Sequence, residues 1–140
     1  MNKNITISAA VFVVLGPIIF GVVQSFFDMW INQSWTTFHL AATLGIIVGY
    51  VFGIPLAVFL AWMNTRLSHH WLLKMTAVSL GCSLLWYALL SYQQVWDLVL
   101  GRAAGWGDFV LWGCVMAFAS TIASLVCAGV ARLISKWRPW

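Results

Sequence analysis

Polar residues divide the chain into four long apolar segments. The segments cover residues 5–27, 41–63, 72–95 and 109–133, and most charged residues lie in the connections or near the two ends. As helices rising 1.5 Å per residue, segments of this length span roughly 35 Å, enough to cross a bilayer's hydrocarbon core. The pattern predicts an all-α integral membrane protein, a four-transmembrane-helix bundle that forms one domain over residues 1–140.

Small residues recur at every fourth position of the second segment. We call this row the small-residue stripe; it comprises Ala41, Gly45, Gly49, Gly53, Ala57 and Ala61. Lipid gives no hydrophobic driving force between helices, so close van der Waals contact at such small-xxx-small rows is a main source of helix association. The stripe, a glycine zipper, therefore predicts a helix-packing interface. Because a row of this spacing winds around the helix, one straight partner is expected to cover only Gly45, Gly49 and Gly53.

The fourth segment carries two small rows of its own. One row is Ala119, Ala123, Cys127 and Ala131, and the neighbouring row is Ser120, Ser124 and Ala128. Small residues on two faces predict a helix that packs against two neighbours at once. We expect it to be the main partner of the stripe.

Prolines interrupt the first and second segments. Pro17 and Pro55 each remove a helical hydrogen bond and crowd the preceding turn, so both segments are predicted to kink.

The charges predict the orientation of the bundle. Six basic residues fall on one side of the four segments: Lys3, Arg66, Lys74, Arg132, Lys136 and Arg138. Arg102 falls on the other side, together with Asp28, Asp97 and Asp108. The positive-inside rule then places both termini and the 64–74 connection in the cytoplasm. The expected location is the bacterial inner membrane, with N-in/C-in topology.

Composition excludes most soluble functions. The chain is 63% hydrophobic and 7% charged, so its net charge of +4 is interpreted as a topology signal, and no nucleic-acid partner is expected. Cys82, Cys114 and Cys127 all lie in apolar segments and show no metal-ligand spacing. We expect no metal and no cofactor. His39 would need a histidine from a second chain to bind haem in one leaflet, and it is interpreted as an interfacial residue.

The notable polar groups at membrane depth are hydroxyls. They are Ser79, Ser83, Ser120, Thr121 and Ser124. Hydroxyls at depth are expected to bond to their own helix or to a neighbour. The alternative interpretation is that they line the path of a solute.

The acidic residues define a candidate outer recognition rim. Asp28, Asp97, Arg102 and Asp108 are predicted to meet at the outer surface among several tryptophans. Topology alone accounts for acids on this side. The sharper interpretation is a surface that recognises a partner or a cation.

No catalytic arrangement is present in the sequence, so the chain is predicted not to be an enzyme. The leading hypothesis is a small protein that acts through intramembrane helix contacts, as a homo-oligomer or as a subunit with a membrane-protein partner. In size and topology it is similar to accessory subunits and to immunity proteins of pore-forming toxins, without a shared motif. The alternative is an oligomeric channel or facilitator for a small solute or ion.

Overall fold

A computed structural model describes residues 3–33, 38–67, 69–101 and 105–137. These ranges form five helices: α1 (Lys3–Asn32), α2 (Phe38–Arg66), α3 (Trp71–Leu90), α4 (Tyr92–Val99) and α5 (Trp106–Trp137). All except α4 are long and apolar enough to cross a membrane. The prediction of an all-helical protein with four candidate membrane spans is therefore confirmed.

The helix ends differ from the predicted segments in one informative place. The third span was predicted to continue to residue 95, but α3 ends at Leu90, where the N–H of Ser91 bonds the carbonyl of Tyr87 at 2.9 Å. The next residues form the separate helix α4, whose sequence mixes exposed Tyr92 and Trp96 with glutamines and Asp97. Such a short amphipathic helix suits the membrane interface better than the hydrocarbon core.

Three of the four seams between the long helices are closed, and one is open. Helix α1 packs along both α2 and α5, and α3 packs along α5, whereas α2 and α3 touch only sparsely. The core lies towards the end of the bundle where α2 ends and α3 begins. Its buried members are Val11, Phe12, Leu60, Ala61, Met75, Cys127, Ala128 and Ala131.

The partner predicted for the small-residue stripe is corrected by the structure. The stripe packs on α1, not chiefly on α5. A Cβ added at Gly45 would lie 3.1 Å from the Cα of Gly21, and one added at Gly49 would lie 3.1 Å from the Cβ of Pro17. Gly21 lets the two backbones meet directly, and this close approach selects α1 as the partner. Helix α5 instead uses its small rows against α1 and α3.

Both prolines lie within continuous helices, and each is accompanied by an aromatic hydrogen-bond donor from the next helix. The hydroxyl of Tyr50 donates to the carbonyl of Val14 at 2.8 Å, three residues before Pro17. The indole N–H of Trp86 donates to the carbonyl of Phe52 at 2.9 Å, three residues before Pro55. Each proline removes the N–H that would bond the carbonyl four residues earlier, that of Val13 or Val51, and the aromatic donor binds the carbonyl next to it. These two bonds tie α1 to α2 and α2 to α3.

Candidate functional site: an open seam and a basic end

A cavity of about 140 Å³ lies in the open seam between α2 and α3. Helix α2 contributes Gly53 and Ala57 to its wall, and α3 contributes Trp86. The floor is formed by α1 and α5, including Pro17 and Ser120. Because Gly53 lies near the middle of α2, the cavity is at the depth of the hydrocarbon core if the four helices span a membrane.

The seam stays open because its residues do not fill the space between the two helices. A Cβ added at Gly53 would meet no atom within 4 Å. Trp86 spans the gap, and its indole bond to the carbonyl of Phe52 links the two walls at one point. The result is a mostly apolar recess that is bridged but not closed.

The hydroxyl groups near the floor are bonded to each other and to their own helices. Ser83 donates to Ser120 at 2.7 Å, and Ser79 donates to Ser124 at 3.0 Å, so two hydroxyl pairs join α3 to α5. Thr121 donates back to the carbonyl of Ala117 at 2.7 Å. This is the helix-bonding arrangement expected for the hydroxyls, and it closes the α3–α5 seam.

A second polar arrangement lies at the end of the bundle where α2 and α5 end. The guanidinium of Arg132 donates to the side-chain oxygen of Asn64 at 3.0 Å and to its carbonyl at 2.9 Å. It also donates to the carbonyl of Leu67 and lies 4.5 Å from the ring centroid of Trp71. The amide of Asn64 continues the network to Ser8 at 3.4 Å. One side chain of α5 thus caps the C-terminus of α2 and contacts the start of α3.

Sequence reasoning used Arg132 only as a topology signal and missed this capping role. The available clue was its position inside the predicted fourth segment, four residues before Lys136. A guanidinium that starts within an apolar helix needs acceptors nearby, and helix C-terminal carbonyls are natural ones.

The structure places the stripe residues in three environments. Gly45, Gly49 and Ala61 are buried, Gly53 and Ala57 line the open seam, and Ala41 is half-buried near the start of α2. On α5, Ala119, Ala123 and Cys127 are all buried. The predicted interface residues therefore serve both closed packing and the edge of the cavity.

The predicted outer rim is only partly described. Asp28 lies in α1, Asp97 in α4 and Asp108 in the first turn of α5, all at the end of the bundle opposite Arg132. Arg102 lies outside the described residues. In the part of the chain that the structure describes, no group of three or more His, Cys, Asp or Glu residues could hold a metal ion.

Comparison of the chain with protein-family models, with curated proteins and with solved structures gives no match. The function is therefore argued from the geometry of the open seam and the basic end.

Proposed function

We propose that this is a non-enzymatic, multi-pass protein of the bacterial inner membrane that acts through intramembrane helix contacts. It works as a homo-oligomer or as an accessory or immunity-type subunit of a membrane complex. The observation that carries the proposal is the open α2–α3 seam, where Gly53 and Ala57 of the small-residue stripe border the cavity between the buried positions Gly49 and Ala61.

The open seam continues an interface that already binds a helix. Gly45 and Gly49 hold α1 at backbone contact distance, and Gly53 and Ala57 extend the same four-residue spacing into the cavity. A further helix crossing this seam would meet the same small surface. The cavity volume of about 140 Å³ is close to the roughly 150 Å³ of an engineered apolar cavity that binds benzene. It therefore suits one large apolar side chain of the incoming helix.

A second copy of the chain is the occupant that we propose. Only 22% and 17% of the most apolar windows of α2 and α3 are buried, against 50% in α5. The two helices beside the open seam thus have the most surface left to cover. Closed symmetric oligomers are the usual way for a small chain to bury more surface.

The alternative function, a channel or facilitator, receives less support from the geometry. A solute path needs polar groups that face the path. The serine pairs between α3 and α5 instead bond to each other, and the cavity wall is mostly apolar.

Cysteine crosslinking tests the proposed contact. In a background with the three native cysteines replaced by alanine, Val48→Cys is expected to form disulfide-linked dimers in native membranes under mild oxidation. Val48 is exposed and lines the seam. Val14→Cys is the matched control, since Val14 is also exposed but lies about 200° around α1 from the cavity residue Phe12.

Two results would contradict the proposal and leave the seam covered by lipid. One is equal crosslinking at the two positions. The other is only monomer by native mass spectrometry, together with no crosslinks in membranes. A crosslink from Val48→Cys to a different protein would replace the second copy by a heterologous partner. Purification of the complex with mass identification distinguishes these results.

Orientation is part of the proposal and has its own test. The basic residues Arg66, Lys74, Arg132 and Lys136 lie at one end of the bundle, and we propose that this end and both termini face the cytoplasm. An alkaline-phosphatase fusion after Trp140 is expected to be inactive, and a fusion within residues 101–107 is expected to be active. An active C-terminal fusion would contradict the orientation.

A further inference from the structure

We propose that the basic end of the bundle binds the phosphate of an anionic phospholipid headgroup, with Arg132 at the centre of the site. This site is separate from the open α2–α3 seam. It rests on the hydrogen bonds of Arg132, on the cations around it and on the absence of acidic side chains at this end of the helices.

The positive charge of Arg132 is held in place but is not neutralised. Its acceptors are the side-chain and main-chain oxygens of Asn64 and the carbonyl of Leu67, all of them uncharged. The chain has three acidic side chains, and Asp28, Asp97 and Asp108 all belong to the opposite end of the bundle.

The capping bonds leave part of the guanidinium available. They come from Nε and from one terminal nitrogen, and the other terminal nitrogen donates to none of the described residues. A guanidinium carries five N–H donors, so a phosphate oxygen can bind the remaining edge while the cap stays in place.

Two lysines extend the positive charge around Arg132. Lys136 follows four residues later in α5, and so it lies on the same face one turn closer to the helix end. Lys74 lies one turn into α3 from Trp71, the ring that Arg132 contacts. Both lysines are exposed, while Trp71 is half-buried, as expected at the boundary between hydrocarbon and headgroups.

The depth of the cluster identifies the anion as a lipid headgroup. Tryptophan and arginine at the ends of spanning helices lie at the level of the lipid phosphates. Basic pockets between transmembrane helices bind anionic headgroups through this combination of charge and position. A phospholipid also brings acyl chains that can lie along the exposed apolar faces of α3 and α5, which a free phosphate lacks.

Arg66 is the control residue that distinguishes a specific lipid site from a general effect of positive charge. It belongs to the same end of the bundle and is also exposed. However, its guanidinium lies over Trp62 of its own helix at 5.5 Å. Its position is about 200° around α2 from Asn64, the residue that binds Arg132. Loss of the Arg66 charge should therefore leave the proposed site intact.

Native mass spectrometry of the purified protein with added lipids tests the inference. Phosphatidylglycerol is expected to bind more tightly than phosphatidylcholine of the same chain length. Lys136→Gln is expected to weaken phosphatidylglycerol binding about fivefold, the effect of one surface charge near a membrane anion, while Arg66→Gln changes it less than about twofold. Lys136 is not part of the cap, so its variant is expected to fold normally.

Three results would overturn the inference. Equal affinity for the two lipids would remove the role of the anionic headgroup. Equal losses for Lys136→Gln and Arg66→Gln would show a general charge effect. Displacement of phosphatidylglycerol by millimolar inorganic phosphate would identify a free-phosphate site in place of a lipid site.

Discussion

Gly21→Ala is expected to destabilise the protein far more than Gly53→Ala, by about 2 to 3 kcal/mol in the difference between the two variants. A Cβ at position 21 would lie 2.6 Å from the Cγ1 of Ile46 and 2.7 Å from its backbone nitrogen. The side-chain atom could move, but the backbone nitrogen could move only if α1 and α2 separated. Detergent-based unfolding followed by helical circular dichroism measures the difference.

Gly53→Ala is the matched control because it makes the same change at a helical position where the added Cβ would have no neighbouring atom within 4 Å. Its own effect should be neutral or slightly stabilising, since alanine has the better helix propensity by up to about 1 kcal/mol. If both variants unfolded at the same denaturant concentration, the contact between Gly21 and α2 would not hold the hairpin together.

Arg132→Met is expected to destabilise the bundle by about 2 kcal/mol, because it removes a charged donor shared by several acceptors. Methionine keeps a long apolar stem near Trp71 but leaves the carbonyls of Asn64 and Leu67 without this partner. The loss should appear as earlier unfolding in detergent.

Arg66→Met serves as the control for the loss of one positive charge at the same end of the bundle. The cation–π contact of Arg66 is made within α2, at an exposed position, and contributes only fractions of a kcal/mol to about 1 kcal/mol. Equal destabilisation by the two substitutions would show that Arg132 does not act as a cap joining α5 to α2.

The four spans could be predicted because their signal is local. A helix that crosses a membrane needs about 20 apolar residues, and each of the four segments shows that requirement without reference to the others. The small-residue stripe was recognisable for the same reason, since a four-residue spacing lies within one helix. The separate helix α4 was missed because the predicted third segment was extended across Ser91 and two glutamines to residue 95.

The packing partners could not be predicted in the same way. Both α1 and α5 offered small residues to the stripe, and the choice depends on whether Gly21 faces Gly45 at the correct depth. The cap at Arg132 depends on oxygens more than 60 residues away in the sequence. The cavity beside Gly53 is what remains after the other three seams have closed. Each of these features depends on how the helices are assembled, so no residue spacing within one helix predicts it.

The two turns that precede the prolines each accept a hydrogen bond from the helix that follows in the chain. The carbonyl of Val14 in α1 receives its aromatic donor only when Tyr50 of α2 arrives, and the carbonyl of Phe52 in α2 receives its donor only when Trp86 of α3 arrives. A nascent chain that ends after Arg66 would hold the first bond and lack the second. Since synthesis delivers the spans from the N-terminus onwards, the donor is made after the acceptor in both pairs, and α2 supplies a donor to α1 and an acceptor to α3.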